Sequence, residues 1–105
     1  KDIVRQLKDI EKCDLVICLS HLGFKYKNEP EKICDVLLAQ QTKDIDLIIG
    51  GHTHTFLDKP VVEKNSDGKD VLINQVGCYG INLGRLDFYF SDDKKYTQQS
   101  KSILI

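Results

Sequence analysis

Three histidines are the side chains in this sequence whose type and spacing point to chemistry. His21 comes directly after the apolar residues 15–19 and Ser20, and His52 and His54 form a His-x-His pair after residues 46–49 and two glycines. A pair at this spacing can present imidazoles to one metal ion or to two adjacent ions. Zinc, manganese and iron suit imidazole, with carboxylates completing a hydrolytic site. The histidines therefore predict a metal site.

The segments before the histidines have the pattern of buried parallel strands. Residues 15–19 and 46–49 are apolar runs that are too short for a helix and suit strands covered on both faces. Between them, residues 28–31 predict a helix start with Asn28 as N-cap, and the helix continues to about Gln41. The order strand, helix, strand implies a right-handed crossover between neighbouring parallel strands. Since the carboxyl ends of such strands meet at one edge, we expect the three imidazoles to converge.

The remaining sequence predicts a helix before this unit and antiparallel strands after it. Residues 2–12 place Ile3, Val4, Leu7 and Ile10 on one face of a helix. Residues 61–62 and 71–76 flank the Asn-Ser-Asp-Gly turn at 65–68, which predicts a hairpin. Apolar and polar side chains alternate over residues 86–90, which predicts a half-buried strand. We expect a bulge at Gly84-Arg85, a turn at 92–95 and a last strand over 102–105.

The chemistry of the histidines has a plainer alternative. A single histidine after a strand is commonly a hydrogen-bonded loop residue, so His21 alone supports little. Asp46 lies at the end of its predicted strand far from the histidines, and Asp58 could approach them but is explained equally by a solvated loop. A serine hydrolase is disfavoured because no GxSxG motif is present. The chain thus has histidines without enough carboxylates, and we expect an incomplete site.

The other reactive and aromatic side chains are assigned to packing. The four cysteines show no CxxC spacing and are expected to be free core residues, with Cys78 the most exposed of them: Cys13, Cys18, Cys34 and Cys78. Tyr79 could stack on a ring, but packing within its loop is the default expectation.

Composition excludes several classes of protein. The 105 residues are 41% hydrophobic and 30% charged, which is typical of one small globular domain. A net charge of -1 without a basic block argues against nucleic-acid binding, and no apolar run is long enough to span a membrane. The sequence contains no methionine, so we expect it to be a piece of a longer protein.

Three motifs together resemble the calcineurin-like metallophosphoesterases, in the branch of bacterial 5′-nucleotidases and UDP-sugar hydrolases. The motifs are an SHLG loop at 20–23, GGHTH at 50–54, and QVGCYGINLGRLD at 75–87. The resemblance implies an α/β fold, a four-layer αββα sandwich, of which residues 1–105 would form the second half as a single partial domain. It also implies two divalent metals, zinc, manganese or iron, with His21 and His52 on one ion and His54 on the other.

The departures from the family pattern are as informative as the match. The DxH, GDxxD and GNH[DE] motifs that provide the remaining ligands in the family do not occur in these residues. The resemblance therefore implies that the parent protein hydrolyses a nucleotide or another phosphomonoester and that this piece alone is nearly inactive. The missing N-terminal half of the domain would be its natural partner, and without it we expect self-association.

Two further expectations remain open. The resembled branch is often periplasmic or on the cell surface, whereas four unpaired cysteines favour a reducing compartment such as the cytoplasm. The alternative function is a small, self-contained α/β module that binds a metal or a protein partner and catalyses nothing.

Overall fold

A four-stranded mixed sheet positions the segments singled out in the sequence. The structure, a computed structural model, describes residues 2–105. The strands are β1 (Ile17–Leu19), β2 (Leu47–Ile49), β3 (Val61–Lys64) and β4 (Asp70–Asn74), in the order β1-β2-β4-β3. β1, β2 and β4 are parallel, and β3 is antiparallel to β4. The predicted α/β class, with a strand-helix-strand unit followed by antiparallel strands, is confirmed.

One helix packs against one face of this sheet. Helix α2 (Asp35–Gln41) lies between β1 and β2 in the chain. Its buried residues pack with side chains from one face of the sheet, and the cluster comprises Cys34, Val36, Ala39, Ile45, Ile48, Val71 and Ile73. Removal of this apolar surface from water is the main stabilisation of the unit.

Helix α2 begins later than the sequence predicts. Residues 28–32 form a turn in which the Lys32 amide donates to the Glu29 carbonyl, and Asn28 is not a helix cap. The amides of Asp35 and Val36 donate instead to the carbonyls of Gly23 and Phe24. The first donors of the helix are therefore satisfied by a distant loop, which no local capping pattern can predict.

The first helix is short and buries less than its apolar stripe predicts. Helix α1 (Asp2–Arg5) continues as a π-helical stretch over Gln6–Ile10. Val4 and Leu7 are partly buried, whereas Ile3 and Ile10 are 63% and 72% exposed. The wider π-helical turn breaks the 3.6-residue period on which the expected stripe depends. None of the helices in residues 2–105 has the length and apolar character needed to cross a membrane.

Two long strands form a second sheet. β5 (Asn82–Phe90) and β6 (Tyr96–Leu104) pair without interruption from Asn82 opposite Leu104 to Phe90 opposite Tyr96. The expected bulge at Gly84-Arg85 is therefore absent from this ladder, and the last strand begins at Tyr96 rather than at 102. Gly84 instead lies against the main sheet, where an added Cβ would meet the side chains of Asn74 and Val76 at 2.8 Å.

Candidate metal centre

The register of the parallel strands brings three loops to one edge of the sheet. Leu19 lies opposite Ile49, and Ile49 lies opposite Asn74, so β1, β2 and β4 end level with one another. His21, His52 and Gln75 follow these three ends by two, three and one residues. The sheet therefore places the SHLG loop, the GGHTH loop and the start of the QVG segment side by side.

His21 and His52 lie together at this edge. Their ring centroids are 5.1 Å apart and the rings meet edge to face, with an interplanar angle of 61°. Both side chains are exposed. A Cβ on Gly51 would be 3.4 Å from His21 Nδ1, which shows how closely the backbone of the second loop approaches the first imidazole. Two exposed imidazoles from separate loops are thus in edge-to-face contact.

His54 stands beside a different aromatic side chain. Its ring centroid is 6.2 Å from that of Tyr79. Tyr79 is 89% exposed, so the expectation that it packs within its loop is wrong. His52, His54 and Tyr79 all have positive φ, at 75°, 51° and 62°. Such backbone conformations are uncommon outside glycine and cluster at functional sites.

The carboxylates do not complete the centre within this part of the chain. Among residues 2–105, no group of three or more His, Cys, Asp or Glu side chains is placed to hold a metal ion. Asp58 is exposed. Asp46 lies at the opposite end of β2, as expected, where it accepts from Lys8 Nζ at 3.0 Å, Val16 N at 2.8 Å and Tyr96 OH at 3.1 Å. Its role here is structural.

Two buried polar residues beneath the loops were missed by the sequence analysis. Asp35 is 0% exposed and Gln75 is 2% exposed. Asp35 Oδ1 accepts from Ser20 Oγ at 2.5 Å, and Oδ2 has no hydrogen-bond partner in the described residues. Burial raises the pKa of the Asp35 carboxyl, and the Ser20 hydrogen bond partly offsets that rise. The sequence signal for Asp35 was its position between Cys34 and Val36, where an acidic residue interrupts the apolar side chains of the helix.

The cysteines are free, and one sizeable cavity lies away from the three histidines. All four cysteines are free as expected, but only Cys34 is fully buried, and Cys13, Cys18 and Cys78 are partly exposed. Burial, reinforced by the nearby Asp35 charge, raises the pKa of the Cys18 thiol. A cavity of about 630 Å³ borders Val4, Cys18 and Leu38, and none of the three histidines lines it. The histidines therefore occupy an open edge rather than an enclosed pocket.

Comparison with curated proteins gives phosphoesterases and nucleotidases. The chain is 38% identical over 104 residues to the trifunctional nucleotide phosphoesterase protein YfkN of Bacillus subtilis (strain 168). The aligned region covers 99% of this chain and 6% of the relative. It is 36% identical over 108 residues to an apyrase of Tabanus yao, covering 89% and 18%. No protein-family model matches the sequence.

Solved structures share the fold. The 5′-nucleotidase precursor from Thermus thermophilus superposes with a TM-score of 0.81 at 28% identity, covering 99% of this chain and 21% of that protein. The Haemophilus influenzae NAD nucleotidase superposes with a TM-score of 0.76 at 22% identity, covering 99% and 22%, and this second likeness concerns the fold alone. The chain thus spans between 6% and 22% of the length of these four relatives.

Proposed function

Because this chain belongs to the calcineurin-like metallophosphoesterases, we propose that it contributes part of the metal centre of a phosphoester hydrolase. His21, His52 and His54 are its proposed metal ligands. The enzyme formed by the whole protein would release phosphate from a nucleotide or another phosphomonoester. The names of the relatives, a nucleotide phosphoesterase and nucleotidases, support that choice of substrate class.

The contact between His21 and His52 carries the proposal. The two imidazoles are exposed, come from separate loops and have centroids 5.1 Å apart, so both are accessible to the same small ion. Neutral imidazole is a common ligand of transition metals, and the positive φ of His52 shows that the loop is held in an unusual conformation.

The donor set fits a divalent zinc, manganese or iron ion but does not saturate it. Two imidazoles leave coordination positions to be filled, and a third ligand from residues 2–105 is not in place. When bound, divalent ions in such centres polarise phosphoryl oxygens and neutralise their charge. Within this chain, His21 and His52 would hold one ion, and His54, whose ring lies beside Tyr79, would be a ligand of a second one.

The remaining ligands would come from another part of the protein. The relatives are several times longer than this chain, which covers 21% of the Thermus thermophilus structure. In the proposed arrangement, residues 1–105 form the second half of the catalytic domain and are nearly inactive alone. The first half would provide the missing carboxylate and amide ligands.

An exposed apolar strip supports this incompleteness. Ile17, Leu19 and Ile49 lie on one face of β1 and β2 and are 48%, 80% and 41% exposed. The outer edge of β1 has no neighbouring strand in the described sheet. Open edges with apolar faces favour association. We therefore expect the isolated chain to self-associate, and a monodisperse monomer in light scattering at high concentration would contradict the half-domain proposal.

Calorimetric metal binding tests the ligand assignment. The chain is titrated with Zn²⁺ and Mn²⁺ at neutral pH, and His21→Ala or His52→Ala is expected to weaken binding at least tenfold. Lys25→Ala is the matched control, because Lys25 is an exposed residue close to His21 in the sequence. Unchanged affinity in both histidine variants would overturn the assignment.

The flanking gene sequence and an activity assay separate the hydrolase from a non-catalytic module. The hydrolase proposal expects DxH, GDxxD and GNH[DE] motifs upstream and phosphate release from a nucleotide only when that segment is present. Enzyme-like hydrolysis by residues 1–105 alone would show that the half-domain proposal is wrong. An open reading frame that begins immediately before Lys1 would favour the module.

A further inference from the structure

We propose that Asp35 and Gln75 are positioning residues, each of which ties together the two ends of one histidine loop. The loops are the His21 loop, residues 20–24, and the His52 loop, residues 50–55. The inference rests on the proposed function for its consequence in metal binding, whereas the geometry it describes is independent of any metal. Both side chains are buried beneath the loops, and neither is among the proposed ligands.

Asp35 holds the His21 loop on both sides of the histidine. Its carboxylate accepts from Ser20 Oγ at 2.5 Å, and its backbone amide donates to the Gly23 carbonyl at 2.8 Å. Ser20 Oγ also accepts from the Leu22 amide at 3.2 Å. His21 and Leu22 are therefore enclosed by hydrogen bonds that begin and end at Asp35.

Gln75 holds the His52 loop in the same manner. Its Nε2 donates to the Gly51 carbonyl at 3.2 Å, before His52, and its Oε1 accepts from the Thr55 amide at 2.6 Å, after His54. Oε1 also accepts from Thr53 Oγ1 at 3.3 Å. One amide group therefore uses its donor and its acceptor to span residues 51–55, which contain both His52 and His54.

The conformation of that turn requires such support. His52 and His54 have φ of 75° and 51°, which non-glycine residues adopt at an energetic cost and keep only where the surroundings fix them. A carboxylate at position 75 would lack the donor that Gly51 needs, and an apolar side chain would lack both groups. Glutamine is thus chemically suited to this position.

The two loops are also joined to each other. Thr53 Oγ1 accepts from the Phe24 amide at 3.0 Å, and the Ser20 amide donates to the Ile49 carbonyl at 2.9 Å. A displacement of either loop would therefore be transmitted to the other. In this arrangement His21 and His52 are set in contact before any ligand arrives, which lowers the ordering that binding would otherwise require.

Two matched pairs of variants test the inference on the 105-residue chain. Gln75→Met removes all three hydrogen bonds of the Gln75 side chain at nearly constant volume. Gln98→Met, on the exposed face of β6, is its control. Ser20→Ala removes the hydroxyl group that donates to Asp35. Ser20→Thr keeps a hydroxyl group at this position and is its control. Thermal unfolding of each variant reports whether the fold persists.

The first readout is the nuclear Overhauser effect between the ring protons of His21 and His52 in metal-free protein. We expect it in the wild type, Gln98→Met and Ser20→Thr, and expect its loss in Gln75→Met and Ser20→Ala. The second readout is the Zn²⁺ dissociation constant, expected to rise about 10- to 100-fold in the same two variants, as for other residues that orient metal ligands.

The outcomes separate this inference from the proposed function. If the ring contact disappears in the two variants but the wild type does not bind Zn²⁺, the positioning role stands and the metal proposal fails. A ring contact retained in folded Gln75→Met or Ser20→Ala would overturn the positioning role. Loss of the ring contact to the same extent in Ser20→Ala and Ser20→Thr would also overturn it. Should Gln75→Met not fold, the serine pair decides.

Discussion

Asp35 Oδ2 occupies the space into which a side chain on Gly50 would extend. Asp35 is fully buried at the start of α2, and Gly50 directly follows β2, where its amide donates to the Asn74 carbonyl at 2.9 Å. The buried carboxyl group therefore requires glycine at the position two residues before His52.

Gly50→Ala is accordingly expected to destabilise the fold. The added methyl overlaps Asp35 Oδ2, and overpacking of this kind typically lowers the free energy of unfolding by about 1–3 kcal/mol. Gly51→Ala is the matched control, since its Cβ would make an ordinary contact at 3.4 Å from His21 Nδ1. Urea unfolding of both variants gives the comparison. Equal losses at the two glycines would contradict the steric explanation.

The titration of Asp35 makes a pH-dependent contribution to stability. Burial raises its pKa above the ordinary value of 3.8, so the folded state binds a proton that the unfolded state has already released. Its contribution to the free energy of unfolding therefore falls as pH rises from 3.8 toward the folded-state pKa, and levels off above it. Asp35→Asn lacks this titration, so its stability relative to the wild type should increase over that interval. Urea unfolding at a series of pH values measures the difference; a constant difference would be inconsistent with the raised pKa.

Tyr96 links the second sheet to the first through Asp46. Its hydroxyl donates to Asp46 Oδ1 at 3.1 Å, so Tyr96→Phe should lower the free energy of unfolding by about 0.5–1.5 kcal/mol near pH 7. Tyr89→Phe, at an exposed tyrosine of the adjacent strand, serves as control and should have little effect. Thermal or urea unfolding gives both values.

The effect of Tyr96→Phe should also depend on pH. Burial and the Asp46 carboxylate raise the pKa of Tyr96 above its ordinary 10.0, so above pH 10 the unfolded state releases the phenolic proton first. Wild-type stability then falls with rising pH in a way that the phenylalanine variant does not share. The difference in free energy of unfolding between the wild type and Tyr96→Phe should narrow above pH 10. A difference that widens would contradict the raised pKa of Tyr96.

Metal addition and removal should change the apparent stability. A ligand that binds only the folded state at 100 times its dissociation constant stabilises it by about 2.7 kcal/mol. Zn²⁺ at that excess should therefore raise the melting temperature of the wild type, and a chelator should reverse the rise. In His21→Ala/His52→Ala the ion should leave the melting temperature unchanged. An equal shift in the double variant would place binding elsewhere in the chain.

Where local sequence carried the signal, the expectations agree with the structure. The runs at 15–19 and 46–49 contain the parallel strands β1 and β2, and the Asn-Ser-Asp-Gly turn closes the hairpin of β3 and β4. In that turn Asn65 Oδ1 accepts from the amides of Asp67 and Lys69, and Gly68 has φ of 76°. Apolar runs and turn residues act within a few positions of themselves, so their effects can be read from the sequence.

Where contacts came from distant segments, the expectations failed. The start of α2 is set by the carbonyls of Gly23 and Phe24 rather than by Asn28. Tyr79 stands exposed beside His54 instead of packing in its loop. Each of these outcomes depends on which backbone or ring lies nearby in space, and residue order does not specify that.

Residue order alone indicated the α/β architecture and the family, and it predicted His21, His52 and His54 as candidate metal ligands, because short apolar runs, glycines and motif spacing are local properties. The three-dimensional packing was needed to show that β4 pairs with β2, so that three loops end at one edge, and that His21 meets His52. It also identified Asp35 and Gln75 as the buried groups beneath them. Their hydrogen bonds join residues up to 24 positions apart, and such pairings are fixed by the packing of the whole sheet.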